Sequence, residues 1–400
     1  MDMVTLHDPG VYEKGVPHDV FEELRRVSPV YWQPEQPPGR GYWAITRYDD
    51  VITASRDPQT FSSYAGTPLL ADFDDEVITL QRAMMISMDP PDHTRLRTIV
   101  NRGFTPRVVA RLGQQITDTC TSLVDAALRR DEVDFVNEIS APFPIAVIAE
   151  LMGVPQEDRE RLYDWSNRMI GFDDPEFQTP GSDGVVAAAE MFAYANALAE
   201  QRRADPRDDI VTKLVQPDAD GEALTELEFS MFFVLLVIAG NETTRNAGSG
   251  GMLALLEHPD QWRLLSEDAG LVPTAVEEIL RWVTPVMDFR RTATRDTEIG
   301  GQPIADGDKV VLFYPSANRD EAVFADAGVF DIRRDPNPHL AFGGGGPHFC
   351  LGSHLARLEL RVLFQTLAER APGIRAAGPV RRLRSNFING IKEMPVRLRP

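Results

Sequence analysis

The stretch FGGGGPHFCLG, residues 342–352, carries the most chemical information in this 400-residue chain. Its four consecutive glycines remove side chains and permit positive φ, so the backbone can lie against a large flat group. A cysteine follows, just before a helix predicted from Gly352 to Arg370. The partial positive charge of a helix N-terminus favours thiolate, the form that binds metals. The alternative interpretation is a glycine-rich turn beside a structural cysteine.

A zinc site is a second alternative, because His348, Cys350 and His354 have the spacing of metal ligands. Structural zinc sites use several closely spaced cysteines and a fourth ligand. The only other cysteine, Cys120, is far away in the sequence. The pattern therefore favours a single thiolate over zinc.

A second motif, Glu278-Ile279-Leu280-Arg281, lies in a helix predicted from Pro273 to Trp282. An acid and an arginine three residues apart share one helix face and can form an ion pair. Alone, this pattern is equally typical of a solvated surface pair.

A third motif, Ala239-Gly240-Asn241-Glu242-Thr243-Thr244, lies in a long helix predicted from about Leu224 to Leu256. Gly240 costs about 1 kcal/mol in helix propensity but allows the helix to open or to approach a ligand closely. Residues 232–238 are apolar all round, which predicts burial. A buried carboxyl group beside a hydroxyl needs a partner or a function, whereas ordinary helix polarity would face solvent.

Together, these motifs resemble those of the cytochromes P-450, and the resemblance extends from Asp89 to the C-terminus. In the common cysteine loop of that family, the cysteine comes seven positions after the phenylalanine. Here Cys350 comes eight positions after Phe342, which resembles a bacterial branch. The resemblance implies a mainly α fold with a smaller β portion. It also implies haem b, iron protoporphyrin IX, between the long central helix and the helix after the cysteine, with Cys350 as the axial ligand of the iron.

The family pattern implies further contacts with the cofactor. Haem propionates require cations or hydrogen-bond donors, and four residues occupy the family positions: His93, Arg97, Arg291 and His339. The other implied cofactor contacts are Ala239, Gly240, Phe342, Gly343, His348 and Gly352. The resemblance also implies that Glu278 and Arg281 form a buried structural ion pair. A third residue, Arg319, Arg333 or Arg334, would join this pair.

The implied activity is that of a monooxygenase, which places one oxygen atom of O2 in the substrate and releases the other as water. Glu242 and Thr243 would guide protons, with glutamate in place of the more frequent aspartate. The substrate pocket expected from family position is mostly apolar and comprises Leu69, Leu70, Phe73, Met84, Ile170, Val234, Val237, Ile238, Val286, Met287, Asp288 and Ile388. Any one of these is as readily a core residue, and Asp288 would serve a polar substrate end or pair with an arginine.

Two segments narrow the substrate class. Residues 239–246 and 385–392 resemble the actinobacterial branch that hydroxylates sterol side chains and methyl-branched lipids. We expect hydroxylation of an unactivated C–H bond in a steroid, terpenoid or branched lipid. The alternatives are a hydroxylase that tailors macrolides or polyketides, a peroxide-using haem enzyme and a non-enzymatic haem-thiolate sensor.

Charge and composition restrict the partners. The net charge of −20 disfavours nucleic acid and anionic membranes, and two cysteines fit a reducing cytoplasm. The longest apolar run, Met231 to Ala239, is shorter than the roughly 20 residues of a membrane span. Because the sequence has no flavin or iron–sulfur motif, electrons must come from outside the chain, and we expect a ferredoxin and its reductase to supply them. We predict a basic docking patch composed of Arg102, Arg107, Arg111, Arg357 and Arg361.

The domain organisation predicted is one domain over residues 1–400. Its β-rich parts lie at about 28–48, 284–315 and 380–400, and the remainder is helical. Residues 62–92 are predicted to be irregular, because the pair Pro90-Pro91 excludes a helix there.

Overall fold

The computed structural model describes residues 5–37, 39–169, 174–176, 183–217 and 221–399. Their contacts form two compact units, and each unit draws on three segments of the chain. Unit 1 comprises Met1–Arg95, Glu277–Cys350 and Arg384–Asn389; unit 2 comprises Leu96–Val276, Leu351–Leu383 and Gly390–Pro400. The prediction of one domain over the whole chain stays a prediction.

Helices dominate the described chain, which confirms the mainly α class with a smaller β portion. The α-helices are Pro9–Tyr12, His18–Val27, Tyr48–Arg56, Asp75–Gln81, Asp92–Asn101, Pro106–Arg111, Gly113–Ala127, Pro142–Leu151, Arg159–Met169, Asp183–Ala204, Ile210–Val215, Glu226–Glu257, Pro259–Glu267, Val272–Val283, Tyr314–Ala317 and Ser353–Arg370.

Unit 1 contains a five-stranded sheet. From edge to edge, its strands are Val30–Gln33, Tyr42–Ile45, Lys309–Phe313, Asp288–Ala293 and Phe61–Ser62. The second and third strands of this order pair in parallel, and the other neighbours are antiparallel. Side chains alternate along the buried central strand: Val310 and Leu312 pack into one apolar cluster, and Val311 and Phe313 into another. A hairpin of Thr297–Ile299 and Gln302–Ile304 completes the strands of unit 1.

Unit 2 is built around the long helix Glu226–Glu257. A capping box starts this helix: the Thr225 hydroxyl accepts from the Glu228 backbone N–H at 3.3 Å, and the Glu228 carboxylate accepts from the Thr225 N–H at 2.9 Å. The helix packs against Asp183–Ala204, Pro142–Leu151 and Ser353–Arg370. The strands of unit 2 are Val133–Asp134, Arg375–Ala376, Arg381–Arg382, Ile391–Glu393 and Pro395–Arg397.

By length and composition, Glu226–Glu257 is also the one helix of the described residues that could cross a membrane. However, 56% of its most apolar window is buried inside the structure. This is the pattern that the core helix of a globular unit shows.

The prediction that residues 62–92 are irregular is wrong. The helix Asp75–Gln81 and a short 3-10 turn, Met85–Ser87, lie within them. Asp74 caps the helix, because its carboxylate accepts from the Val77 backbone N–H at 2.9 Å. The diproline excludes a helix only in its own vicinity, and the acidic cap upstream was the missed signal.

Candidate active site

The glycine-rich loop takes backbone conformations that side chains disfavour. Three of its glycines have φ of +95°, +90° and +74°, namely Gly343, Gly345 and Gly346. A Cβ atom on Gly344 would lie 2.6 Å from Ser55 Oγ, and one on Gly346 would lie 2.3 Å from the Ser55 carbonyl oxygen. At these two positions the close approach predicted from the sequence is to a neighbouring helix, Tyr48–Arg56, and not to a flat ligand.

Cys350 ends this loop as a partly exposed cysteine that forms no disulfide. Its backbone N–H donates to the carbonyl of Phe342 at 3.0 Å, which closes the loop. Phe342 is buried and lies 6.5 Å from Phe349 between ring centroids. The other cysteine, Cys120, is fully buried, and burial raises its pKa to about 12. Cys350 is therefore the accessible thiol of the chain.

Two predicted cofactor residues of unit 1 lie side by side. The rings of His93 and His348 are 4.4 Å apart between centroids, and His93 is buried. His348 Nε2 lies 3.2 Å from the hydroxyl of Ser63, whose backbone N–H donates to the Asp89 carboxylate at 2.9 Å. These contacts attach the cysteine loop to the start of the helix Asp92–Asn101.

Arg291 is a buried cation that forms no ion pair with a carboxylate among the described residues, although the charge of Asp89 acts on it from further away. It lies on the strand Asp288–Ala293 with 5% of its surface exposed, and its guanidinium donates to the carbonyl of Arg290 at 2.7 Å. Burial lowers the pKa of Arg291, and no carboxylate of the described chain lies within ion-pair distance of it. A buried charge without a counterion costs several kcal/mol. An anionic group of a ligand, such as a haem propionate, would offset this cost, so the residues present fit the cofactor.

The other two predicted propionate ligands differ from each other. Arg97 is half-buried on the helix Asp92–Asn101, one turn after His93. His339 Nδ1 accepts from the Ala341 backbone N–H at 3.2 Å, so its Nε2 carries the proton and donates to Glu277 at 3.0 Å. Protein groups thus occupy both ring nitrogens of His339, so it has no ring N–H left to donate to a propionate.

Glu278 and Arg281 form a fully buried bidentate pair, with two N–O distances of 2.7 Å. Arg281 also donates to the backbone carbonyls of Asn318, Ala327 and Val329. Because all the nitrogens of the guanidinium donate to acceptors, the buried charge is compensated. The pair has no reactive group exposed, in keeping with a structural role.

The arginine that joins this pair is Arg334, whose Nε donates to Glu278 at 3.1 Å. Of the other two candidates, Arg333 pairs with Asp331 at 3.2 Å. Arg319 lies 3.7 Å from the ring centroid of Trp282, and burial lowers its pKa to about 10.

On the long helix, Gly240 lies on the packed face, whereas Ala239 and Thr243 lie on the accessible face. A Cβ atom on Gly240 would come 2.9 Å from Ile148 Cδ1, so the glycine serves helix packing. Ala239 is exposed and Thr243 is half-buried, four residues apart on one stripe. The Thr243 hydroxyl donates to the Ala239 carbonyl at 2.7 Å.

Glu242 turns inward from this stripe and is buried with 6% of its surface exposed. Its Oε1 accepts from Asn246 Nδ2 at 2.6 Å. Its Oε2 is buried without a hydrogen-bond partner in the described structure, and the nearest cation, Arg245 Nη1, is 3.8 Å away. The acid therefore has one oxygen in a hydrogen bond, and the other oxygen is engaged only by the longer ion pair with Arg245.

The predicted pocket residues divide into accessible and core side chains. Val286 and Ile388 pair through an antiparallel bridge, and the Met287 N–H donates to the Phe387 carbonyl at 2.8 Å. The half-buried members are Leu69, Phe73, Met84, Ile238, Val286 and Ile388; the buried ones are Leu70, Val234, Val237, Met287 and Asp288. Leu70 packs into the core beside Phe313. Ile170 lies outside the described residues.

Asp288 pairs with no arginine of the described chain. It is 1% exposed, and neither carboxylate oxygen has a hydrogen-bond partner. Burial raises its pKa to about 8. The Asp288 charge contributes to raising the pKa of Tyr12, after burial of that phenol. Asp288 therefore lies near the N-terminal segment of unit 1.

Comparison with known proteins identifies the family. The cytochrome P-450 profile matches residues 267–370. A steroid C26-monooxygenase of Rhodococcus jostii (strain RHA1) is 45% identical over 397 residues, which cover 97% of this chain and 83% of the relative. The chain belongs to the cytochrome P-450 family. A methyl-branched lipid omega-hydroxylase of Mycobacterium tuberculosis (strain ATCC 25618 / H37Rv) is 46% identical over 391 residues, which cover 94% of this chain and 90% of that relative.

Solved structures agree with this assignment. A cytochrome P-450 of Mycobacterium marinum in complex with pseudoionone has a TM-score of 0.89 and 39% identity, covering 95% of this chain and 94% of that one. The cytochrome P-450 of the bacillaene polyketide synthase of Bacillus subtilis 168 has a TM-score of 0.90 and 33% identity, covering all of both chains.

Membership confirms the predicted fold, cofactor and actinobacterial branch. This cytochrome P-450 is a haem-thiolate monooxygenase, an oxidoreductase that hydroxylates hydrophobic substrates with dioxygen.

Proposed function

We propose that this cytochrome P-450 hydroxylates an unactivated C–H bond of a steroid, a terpenoid or a methyl-branched lipid. The names of its relatives describe oxidation of steroids and of methyl-branched lipids. The half-buried pocket residues are apolar, including the paired Val286 and Ile388. An apolar lining favours a bulky hydrophobic substrate.

The buried guanidinium of Arg291, which has no ion-paired carboxylate in the described chain, is the observation that carries the cofactor assignment. With His93 and Arg97, it would hold the haem propionates, and Cys350 would supply the axial thiolate. The other contacts assigned to the cofactor are Ala239, Phe342, Gly343, His348 and Gly352; Gly240 is left to helix packing. When bound, the haem supplies reductive activation of dioxygen.

Glu242 and Thr243 divide the handling of protons between them. Glu242 Oε2, the oxygen that Asn246 does not engage, receives and releases the proton. The Thr243 hydroxyl donates to the Ala239 carbonyl, so its lone pairs are left to accept a hydrogen bond on the accessible stripe.

An acidic ferredoxin, with its reductase, would supply electrons in the cytoplasm. Within unit 2, the helix Pro106–Arg111 packs against Ser353–Arg370. Arg107, Arg111 and Arg361 are exposed on these helices, although Arg111 also pairs with Asp208 at 3.4 Å. Arg102 and Arg357 complete the patch, which offers positive charge on a strongly negative protein.

The reduced, carbon-monoxide-bound absorption spectrum tests the ligand assignment, and the two cysteines provide a matched pair. Cys350→Ser should abolish the red-shifted Soret band of a thiolate-ligated haem and the turnover that depends on it. Cys120→Ser should preserve both, because Cys120 is buried in unit 2. An unaltered spectrum and turnover in Cys350→Ser would overturn the proposal.

A substrate-shift screen tests the substrate class on the same protein. At micromolar concentration, steroids and branched lipids should shift the haem absorption spectrum towards that of the high-spin form. A shift by macrolides or aromatic compounds, with none by steroids or branched lipids, would favour the tailoring hydroxylases instead.

A further inference from the structure

Asn246 joins the proposed proton-handling acid to the C-terminal strand. Its Nδ2 donates to Glu242 Oε1 at 2.6 Å, one turn back along the long helix. Its Oδ1 accepts from the backbone N–H of Ile391 at 3.3 Å. Both contacts are buried, since Asn246 is 1% exposed.

The second contact determines the orientation of the Asn246 amide. A side-chain amide has one oxygen that only accepts and one NH2 group that only donates. Because the Ile391 N–H needs an acceptor, the amide oxygen must face the strand Ile391–Glu393, and the NH2 group must face Glu242. Oε1 of Glu242 is therefore held as an acceptor, whereas Oε2 has no hydrogen-bond partner and only the Arg245 guanidinium at 3.8 Å, so it is the oxygen that can take a proton.

Gly390 allows the strand to approach this closely. A Cβ atom on Gly390 would lie 3.3 Å from Asn246 Oδ1 and 3.0 Å from the side chain of Leu383. The Leu383 N–H donates to the Gly390 carbonyl at 3.0 Å, which fixes the turn against the neighbouring strand. The anchor of Asn246 is thus rigid main chain.

We propose that Asn246 is a positioning residue for proton delivery: fixed by the Ile391 N–H, it holds the Glu242 carboxylate with one oxygen engaged and the other available. This inference rests on the proposed proton role of Glu242. It assigns Asn246 no contact with substrate or cofactor.

Asn246→Ala tests the proposal, with Asn241→Ala as the matched control. Asn241 lies on the same helix, is also 1% exposed, and donates to the Ser166 hydroxyl at 2.6 Å. Asn246→Ala should lower kcat about tenfold, which corresponds to about 1.4 kcal/mol, and should raise the solvent isotope effect on turnover. The KM and the substrate-induced spectral shift should not change, and Asn241→Ala should leave all four quantities near the wild-type values.

Infrared spectroscopy gives a readout that is independent of turnover. Subtraction of the Glu242→Gln spectrum isolates the carboxyl bands of Glu242, and these bands should move in Asn246→Ala but not in Asn241→Ala. Asn246→Asp is the second variant, because it keeps the acceptor for the Ile391 N–H and the size of the side chain. It replaces the donor with a second acid, and the loss of kcat should be larger than in Asn246→Ala.

The outcomes separate the two proposals. Full turnover in Glu242→Gln overturns the proton role of Glu242 and this inference with it. Impaired Glu242→Gln, together with unmoved Glu242 bands and a normal isotope effect in both Asn246 variants, overturns the role of Asn246 alone. Equal effects of Asn246→Ala and Asn241→Ala would reduce Asn246 to a packing residue, which also contradicts the inference.

Discussion

Burial of the Asp288 carboxyl group makes the stability of the protein depend on pH. The folded state holds its pKa at about 8, and the unfolded chain returns it to the ordinary value near 4. Between these values the unfolded state releases a proton that the folded state keeps. The contribution of Asp288 to stability is therefore complete at low pH, falls as pH rises through this window, and is lost above it.

Asp288→Asn isolates this effect. The difference in Tm between variant and wild type should be small at pH 5 and should grow in favour of the variant up to pH 8. Above pH 8 it should stay constant. Thermal unfolding of the holoenzyme followed by circular dichroism measures it, and a difference that does not vary between pH 5 and pH 9 would contradict the buried, unpartnered state of the carboxyl group.

At the residue scale, the sequence predicts which side chains carry the chemistry, but it does not always predict which residues they contact. Glu242 and Thr243 were predicted to act together, yet adjacent residues point about 100° apart on a helix, and only Thr243 reaches the accessible stripe. The choice of Arg334 over Arg319 and Arg333 depends on the path of a loop, for which the sequence has no periodic signal. Asn246 was not predicted at all, because its anchor at Ile391 is far along the chain.

At the scale of elements, the cysteine loop depends on its contact with the helix Tyr48–Arg56. Gly346 combines a φ of +74° with a Cβ position 2.3 Å from a backbone oxygen. The left-handed conformation alone costs a non-glycine residue about 1–2 kcal/mol, and the steric conflict adds to it. The loop geometry around Cys350 should therefore be sensitive to a single methyl group here.

Gly346→Ala should lower Tm by several degrees and reduce the fraction of protein with the thiolate-ligated spectrum after carbon monoxide binding. Gly328→Ala is the control, because no atom lies within 4 Å of its Cβ position and its φ is not positive. Equal Tm values and spectra for the two variants would show that the loop tolerates a side chain at position 346.

Local signals predicted most elements well. The long helix was placed within two residues of its observed bounds, because apolar periodicity and caps mark its ends. The glycines of the loop were correctly read as sites of close approach, but Ser55, their neighbour, is remote in the sequence. Pairing across such distances cannot be deduced from one chain.

At the scale of the whole molecule, charge is distributed unevenly. The chain carries a net charge of −20, yet Arg107, Arg111 and Arg361 are exposed on two helices that pack together. A local positive region on a negative protein would orient an acidic partner and accelerate its association at low salt.

Arg361→Glu should lower the rate of ferredoxin-driven turnover about tenfold at low ionic strength, with a smaller difference at high salt. Turnover driven by peroxide should be unchanged, because it needs no electron donor protein. Arg129→Glu, an equal charge reversal at another exposed arginine of unit 2, is the control. Loss of both ferredoxin-driven and peroxide-driven turnover in Arg361→Glu would count against docking at this surface.

The contact of the cysteine loop with Ser55 also limits which substitutions the loop can accept during evolution. A methyl group at position 344 meets the Ser55 side chain first, so an earlier replacement of Ser55 by glycine would remove the two closest contacts and leave the Ile52 Cα at 3.2 Å. A methyl group at position 346 meets the main-chain oxygen of residue 55, which no mutation at that codon removes. Two successive mutations can thus relieve most of the steric conflict at position 344, whereas position 346 stays glycine for as long as the helix that it contacts persists.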